Sequence, residues 1–123
     1  MKYMLLIYSP PEAYAALPAE TRNQLNHDYF AYTQQIIDSG EFIAGDPLQG
    51  IDTATTVRQR NGQRTLTDGP FAETKEVLGG YYLVEVKDLD RALELAAMLP
   101  GVRLELDSIE VRPLMDFTAL MPS

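Results

Sequence analysis

Lys2-Tyr3-Met4-Leu5-Leu6-Ile7-Tyr8 opens the chain as a strand without a polar face. Tyr3, Leu5 and Ile7 point one way, and Met4, Leu6 and Tyr8 point the other. Both sides therefore need covering. Ser9-Pro10-Pro11 ends the strand, because neither proline can donate to a ladder. Tyr81-Tyr82-Leu83-Val84-Glu85-Val86 is a second segment of the same kind, apolar at nearly every position.

Between them lie a helix and a hairpin. Leu25, Tyr29, Tyr32 and Ile36 form one stripe of a helix predicted from about Pro18 to Ser39, with Gly40 at its C-terminal end. Glu41 to Gly45 is predicted as a short strand. Residues 53–60 and 63–67 then flank Asn61-Gly62, a dipeptide suited to a type I′ hairpin turn. Val57 and Leu66 are cross-strand partners and give this hairpin a modest apolar face. A second helix follows Asp88, an N-cap, with Leu89, Ala92, Leu93 and Ala96 as its expected buried stripe and Pro100-Gly101 as its stop. Residues 108–112 form the last strand. The tail from Leu114 to Ser123 is apolar enough to be expected to dock, on this chain or on a partner.

The order β, α, hairpin region, β, α, β predicts an α+β fold: a ferredoxin-like split βαβ sheet with an inserted hairpin and both helices on one sheet face. That packing leaves the other face bare. Two strands greasy on both sides then call for a homodimer packed sheet against sheet.

The chain has 123 residues and is read as a single domain, 1–123, with 114–123 as its docking tail. Eighteen acids against ten bases give a net charge of −8, which argues against direct nucleic-acid binding. Absent cysteines exclude disulfides and thiolate chemistry, and a single histidine excludes a multi-histidine metal centre. The apolar start is too short for a signal peptide or a membrane span, so a cytoplasmic protein without membrane contact is expected. No metal and no organic cofactor are expected. Glu73/Glu76 and Glu105/Asp107 read as the acid pairs of a charged surface.

His27 lies about 200° around the helix from Leu25 and reads as a surface residue. Tyr29 and Tyr32 read as core aromatics, with a pocket-lining phenol as the alternative. The segment Thr67-Asp68-Gly69-Pro70-Phe71-Ala72-Glu73-Thr74-Lys75-Glu76 is the most informative one. It reads either as a rigid bend or as a cleft mouth. In the second case Phe71, itself expected to be buried, desolvates Asp68 toward general-base work. Pro70 is expected to hold Gly69 extended. Arg58, with Arg60, could serve a local anion or carboxylate site.

The string Asp68 to Glu76, followed by Leu78-Gly79-Gly80-Tyr81-Tyr82, resembles YCII-related proteins of the DGPF type. The resemblance extends from Met1–Tyr8 through Ala31-Tyr32, Ser39-Gly40, residues 54–58 and 88–90 to Ile109–Leu114. It implies a dimeric α+β barrel with a pocket in each subunit or near the interface. Relatives include a lactone dehalogenase, and some members are encoded beside extracytoplasmic-function sigma factors. Shorter relatives use a proposed histidine–aspartate pair. The histidine's place falls near Tyr29 here, which leaves Asp68 with Tyr29 as the catalytic pair. Gly69, Pro70, Phe71, Tyr81, Tyr82 and Arg58 are the expected substrate-binding residues. Two functions stay open: a small-molecule enzyme or binder acting by proton transfer or elimination on a lactone-like or carbonyl substrate, and a dimeric regulatory module with a sigma-factor partner.

Overall fold

The computed structural model describes residues 1–122. The elements run β1 (Lys2–Ser9), α1 (Pro11–Ala15), α2 (Ala19–Asp38), β2 (Phe42–Pro47), β3 (Thr55–Arg60), β4 (Gln63–Asp68), β5 (Val77–Glu85), α3 (Leu89–Ala97), α4 (Pro100–Arg103) and β6 (Ser108–Pro113). Short 3₁₀ turns occupy Ile51–Thr53 and Phe117–Leu120.

β2, β5, β1 and β6 make one antiparallel sheet in that order, with β1 hydrogen-bonded on both sides. Without the hairpin this is β-α-β-β-α-β with the first strand between the third and fourth, the split βαβ arrangement. The inner face of β1 packs Tyr3, Leu5 and Ile7 against Tyr82 and Val84 of β5, Tyr32 and Ile36 of α2, and Ala92 and Leu95 of α3. Both long helices thus cover the same sheet face. The Tyr32 hydroxyl donates to the Leu95 carbonyl at 2.8 Å, so its burial leaves no polar atom unpaired. Arg91 of α3 grips Glu41, just before β2, through Nε and Nη2 at 2.8 and 2.9 Å.

On the other face Met4, Leu6 and Tyr8 of β1 and Leu83 of β5 are only partly covered within one chain. The two-sided apolar strand is therefore real, and its outer side is partly covered within one chain.

Several expectations are corrected. The buried stripe of α3 is Ala92, Leu95 and Ala96, continued by Leu99, while Leu89 and Leu93 are each 46% exposed. The i, i+3, i+4, i+7 register of the first set meets the sheet, and Leu89 and Leu93 lie off it. Pro100-Gly101 does not simply stop that helix; it opens the short turn α4, with proline at its first position. The hairpin β3–β4 is a two-stranded sheet of its own in the expected register, with Val57 opposite Leu66. Both are 61% exposed, so the hairpin is more solvated than expected. Gly69 takes φ +109, a left-handed value that glycine tolerates and that the following proline does not prevent. The tail is tied by the Leu114 amide to the Lys2 carbonyl, but Met115, Phe117, Leu120 and Met121 stay exposed on this chain. Ser123, its last residue, lies outside the described residues. Among the described residues, no helix is long and apolar enough to cross a membrane.

Leu5 is fully buried at the centre of the sheet. Replacing it by alanine is expected to destabilise the fold by about 2–5 kcal/mol, read as a lowered urea midpoint with an unchanged slope.

Candidate functional site

Three short sequence features converge beneath the helices. Pro11 supplies a preset φ for the first turn of α1, which follows β1 directly and presents Tyr14. Tyr29 sits one turn beyond Leu25 on α2, at the edge of the buried stripe. The third is the loop from α4 to β6. There Glu105 takes φ +59 and turns the chain, and the Leu106 and Asp107 amides both donate to the Gly101 carbonyl at 2.9 and 3.1 Å.

The result is a buried carboxylate, Asp107, 8% exposed, held by two phenols. Tyr14 donates to it, its oxygen 2.8 Å from both Oδ1 and Oδ2, and Tyr29 donates to Oδ2 at 3.0 Å. The Gly101 amide in turn donates to the Tyr29 oxygen at 3.3 Å. Gly101 is required here by proximity: a Cβ on it would stand 1.8 Å from Asp107 Oδ2. Burial, reinforced by the hydrogen bond and charge of Asp107, pushes the Tyr14 phenol up from its ordinary value. Burial and then the charges of Asp107 and Tyr14 raise Tyr29 as well. Both phenols therefore act as neutral donors, and among the described residues Asp107 forms no salt bridge.

This trio borders a cavity of about 910 Å³ between α1, α2 and the sheet. That volume is at the upper end for small-molecule pockets. Ile7, Leu25, Phe30, Ile51 and Leu78 supply apolar wall, and Tyr81 and Tyr82 also line it. Tyr82 shares a 2.6 Å hydrogen bond with Thr33, while Tyr81 donates to Asp46 at 2.9 Å.

The expected site residues divide into two groups. Tyr29, Tyr81 and Tyr82 meet in the cavity. Asp68 ends β4 exposed to solvent, and Tyr29 finds Asp107 as its acid partner. Phe71 is 77% exposed, not buried, and lies under the Arg58 guanidinium at 5.3 Å. Gly69 bonds back to Ala54 and Thr56 at 2.7 and 2.8 Å, which fixes the bend before Pro70. Asp68, Gly69, Pro70, Phe71 and Arg58 are thus apart from the cavity lining. His27 is exposed, as its helical angle requires. Sequence reading missed Tyr14, Gly101 and Asp107. Asp107 was legible only as half of a surface acid pair, although Leu104 and Leu106 around it hinted at an acid drawn inward. Among the described residues no group of three or more metal-binding side chains comes together.

The YCII-related domain matches residues 1–118. The chain belongs to the YCII-related family. A family relative, an uncharacterised protein of Rhizobium meliloti, is 34% identical over 114 residues, 93% of this chain and 92% of that one. Among solved structures, a 5-chloro-2-hydroxyhydroquinone dehydrochlorinase from Burkholderia phenoliruptrix, in complex with 2,5-dihydroxybenzoquinone, superimposes with a TM-score of 0.56. It covers 94% of each chain at 14% identity, so the likeness is one of fold. This YCII-related chain thus shares its α+β architecture with a small-molecule enzyme.

Linkage gives the site a pH signature. The folded phenols hold their protons above the unfolded value of about 10, so the stability they contribute is complete below pH 10 and is lost as pH rises further. Alkaline unfolding monitored by circular dichroism is expected to begin above that pH, with Tyr14 and Tyr29 ionising only on unfolding. Tyr14→Phe is expected to weaken this alkaline dependence.

Proposed function

We propose that this protein is a small-molecule enzyme that removes a proton from carbon next to a carbonyl or lactone group, with Asp107 as the base. One observation carries the reading: a buried, phenol-held carboxylate without a cationic partner, facing a cavity large enough for a ring. Buried carboxylates are ordinarily paired or coordinated, and exceptions concentrate where proton chemistry is done. The substrate C–H proton passes to Asp107, and its electron pair moves onto the carbonyl oxygen. The Tyr29 hydroxyl, itself receiving the Gly101 amide, donates to that oxygen. The pair then returns to expel a leaving group on the adjacent carbon or to take the proton back. Fold likeness to a dehydrochlorinase supports an elimination of this kind, by analogy only. The chain's own residues supply every proton position in this scheme.

Asp107 takes the role that sequence reading gave to Asp68, with Tyr29 kept as its partner. Asp107→Asn is expected to lower turnover at least ~100-fold, the usual scale of general-base loss, in a variant whose cooperative melting transition shows that it still folds. Asp68→Asn is expected to leave turnover within about twofold of wild type. The measurement is solvent deuterium incorporation into a panel of cyclic ketones and lactones, followed by mass spectrometry. Loss of exchange in the Asp68 variant and retention in the Asp107 variant would restore Asp68 as the base.

We also propose that the protein works as a homodimer through the sheet face that the helices leave bare. Met4, Leu6, Tyr8 and Leu83 lie on that face only partly covered, and the neighbouring tail exposes Phe117 and Leu120. Sedimentation at micromolar concentration is expected to give twice the chain mass, and Leu6→Glu to give the single chain. A wild-type protomer that stays single under those conditions removes the proposal. The regulatory reading, with a sigma-factor partner, has no observation of this molecule in its favour.

A further inference from the structure

Resting on the reading of this cavity as the reaction site, we infer that it selects substrates without negative charge, uncharged or cationic where they meet Asp107, and excludes carboxylates and phosphates of the same shape.

The chemistry of the lining carries this. Three acids reach the cavity: Asp107 in its floor, and Asp46 and Asp52 on the loop side. Among the described lining residues there is no lysine, arginine or histidine. An entering anion would meet the buried Asp107 in a partly dehydrated space, where Coulomb repulsion is less screened than in bulk water, after passing the exposed Asp46 and Asp52. It would also lose its hydration with few donors to replace it. Both phenols already donate to Asp107, Tyr81 donates to Asp46, and Tyr82 and Thr33 are paired with each other, which leaves Ser9, Asn26 and Gln49 as the other side-chain donors of the lining, all of them uncharged. The remaining wall is mostly aliphatic and aromatic carbon, which accepts an uncharged ring. Net charge of −8 adds a repulsive long-range field to the approach of any anion. A carbonyl oxygen needs only one donor, and the Tyr29 hydroxyl can supply it by turning from Asp107.

A matched pair of ligands isolates charge from shape. para-Methoxyacetophenone and para-methoxybenzoate differ in little but the charge of one end. Calorimetric or ligand-observed magnetic resonance titration at neutral pH is expected to show the ketone binding at least ~10-fold more tightly. In the Asp46→Asn, Asp52→Asn double variant the ratio of ketone to benzoate affinity is expected to narrow several-fold. Both positions are exposed, so the fold is expected to persist, and a melting curve checks it. Equal or tighter benzoate binding overturns the inference and points to a cation brought in by a second copy. Binding of neither ligand overturns it as well. The readout is equilibrium binding, so the two readings fail separately. A ketone preference without Asp107-dependent exchange removes only the catalytic proposal. Asp107-dependent exchange with a benzoate preference removes only this one.

Discussion

A buried carboxylate held by two phenols is the constraint around which this molecule is arranged. Asp107 is taken out of water and receives hydrogen bonds from Tyr14 and Tyr29. Charge-assisted bonds of this kind are about twice as strong as neutral ones, and leaving such a group unsatisfied costs about 1–3 kcal/mol or more. Four separate segments must therefore agree. α1 has to follow β1 at once to bring Tyr14 down. α2 has to present Tyr29 rather than a smaller residue, α4 has to place a residue without Cβ at Gly101, and the left-handed turn at Glu105 has to aim Asp107 inward. A change at any of these reaches the other three through one pair of oxygen atoms.

The apolar core supplies the rigidity that this arrangement needs. β1 is bonded on both sides, and its inner residues meet both helices, so the strand immediately before α1 can hardly move. Tyr32 and Arg91 fasten α2 and α3 by polar contacts that fix where each helix sits. The cavity then opens where core packing stops, between the middle of α2 at Tyr29 and the start of β5 at Gly79 and Gly80. Gly80 lies so close to the Asp46 carbonyl that a Cβ there would stand only 3.0 Å from it, which keeps β2 and β5 in tight register beside the opening.

What the sequence disclosed follows from which forces are local. The periodicity of Leu25, Tyr32 and Ile36, the Asn61-Gly62 turn and the Asp88 cap are each decided within a few residues, and each was legible. The two-faced character of β1 was legible for the same reason. The α3 stripe was misassigned because Leu89 and Leu93 are as apolar as Leu95, and only the sheet decides which of them is met. Tyr14 hid behind two prolines that read as a terminator, although proline equally begins a helix. Asp107 was hidden most deeply: its partners stand 93 and 78 residues away, and no spacing rule connects them. Tyr29's place on the stripe was legible for a local reason, and its hydrogen-bond partner Asp107 was missed for a non-local one.

The Asp68–Phe71 bend shows the converse. It is the most distinctive string in the chain, yet its order comes from its own neighbours: Gly69 bonded to Ala54 and Thr56, and Arg58 over the exposed Phe71 ring. A two-stranded sheet alone is marginal in water, and this one exposes Val57, Leu66 and Phe71 while carrying three arginines and no acid between Thr55 and Thr67. The remainder of the chain holds all eighteen acids. Departures from local rules thus gather in two places. At Asp107 a buried acid departs from the usual exposure of carboxylates, and two phenols satisfy its oxygens there. At the hairpin, exposed apolar side chains stand beside three arginines, and Arg58 covers one face of the Phe71 ring.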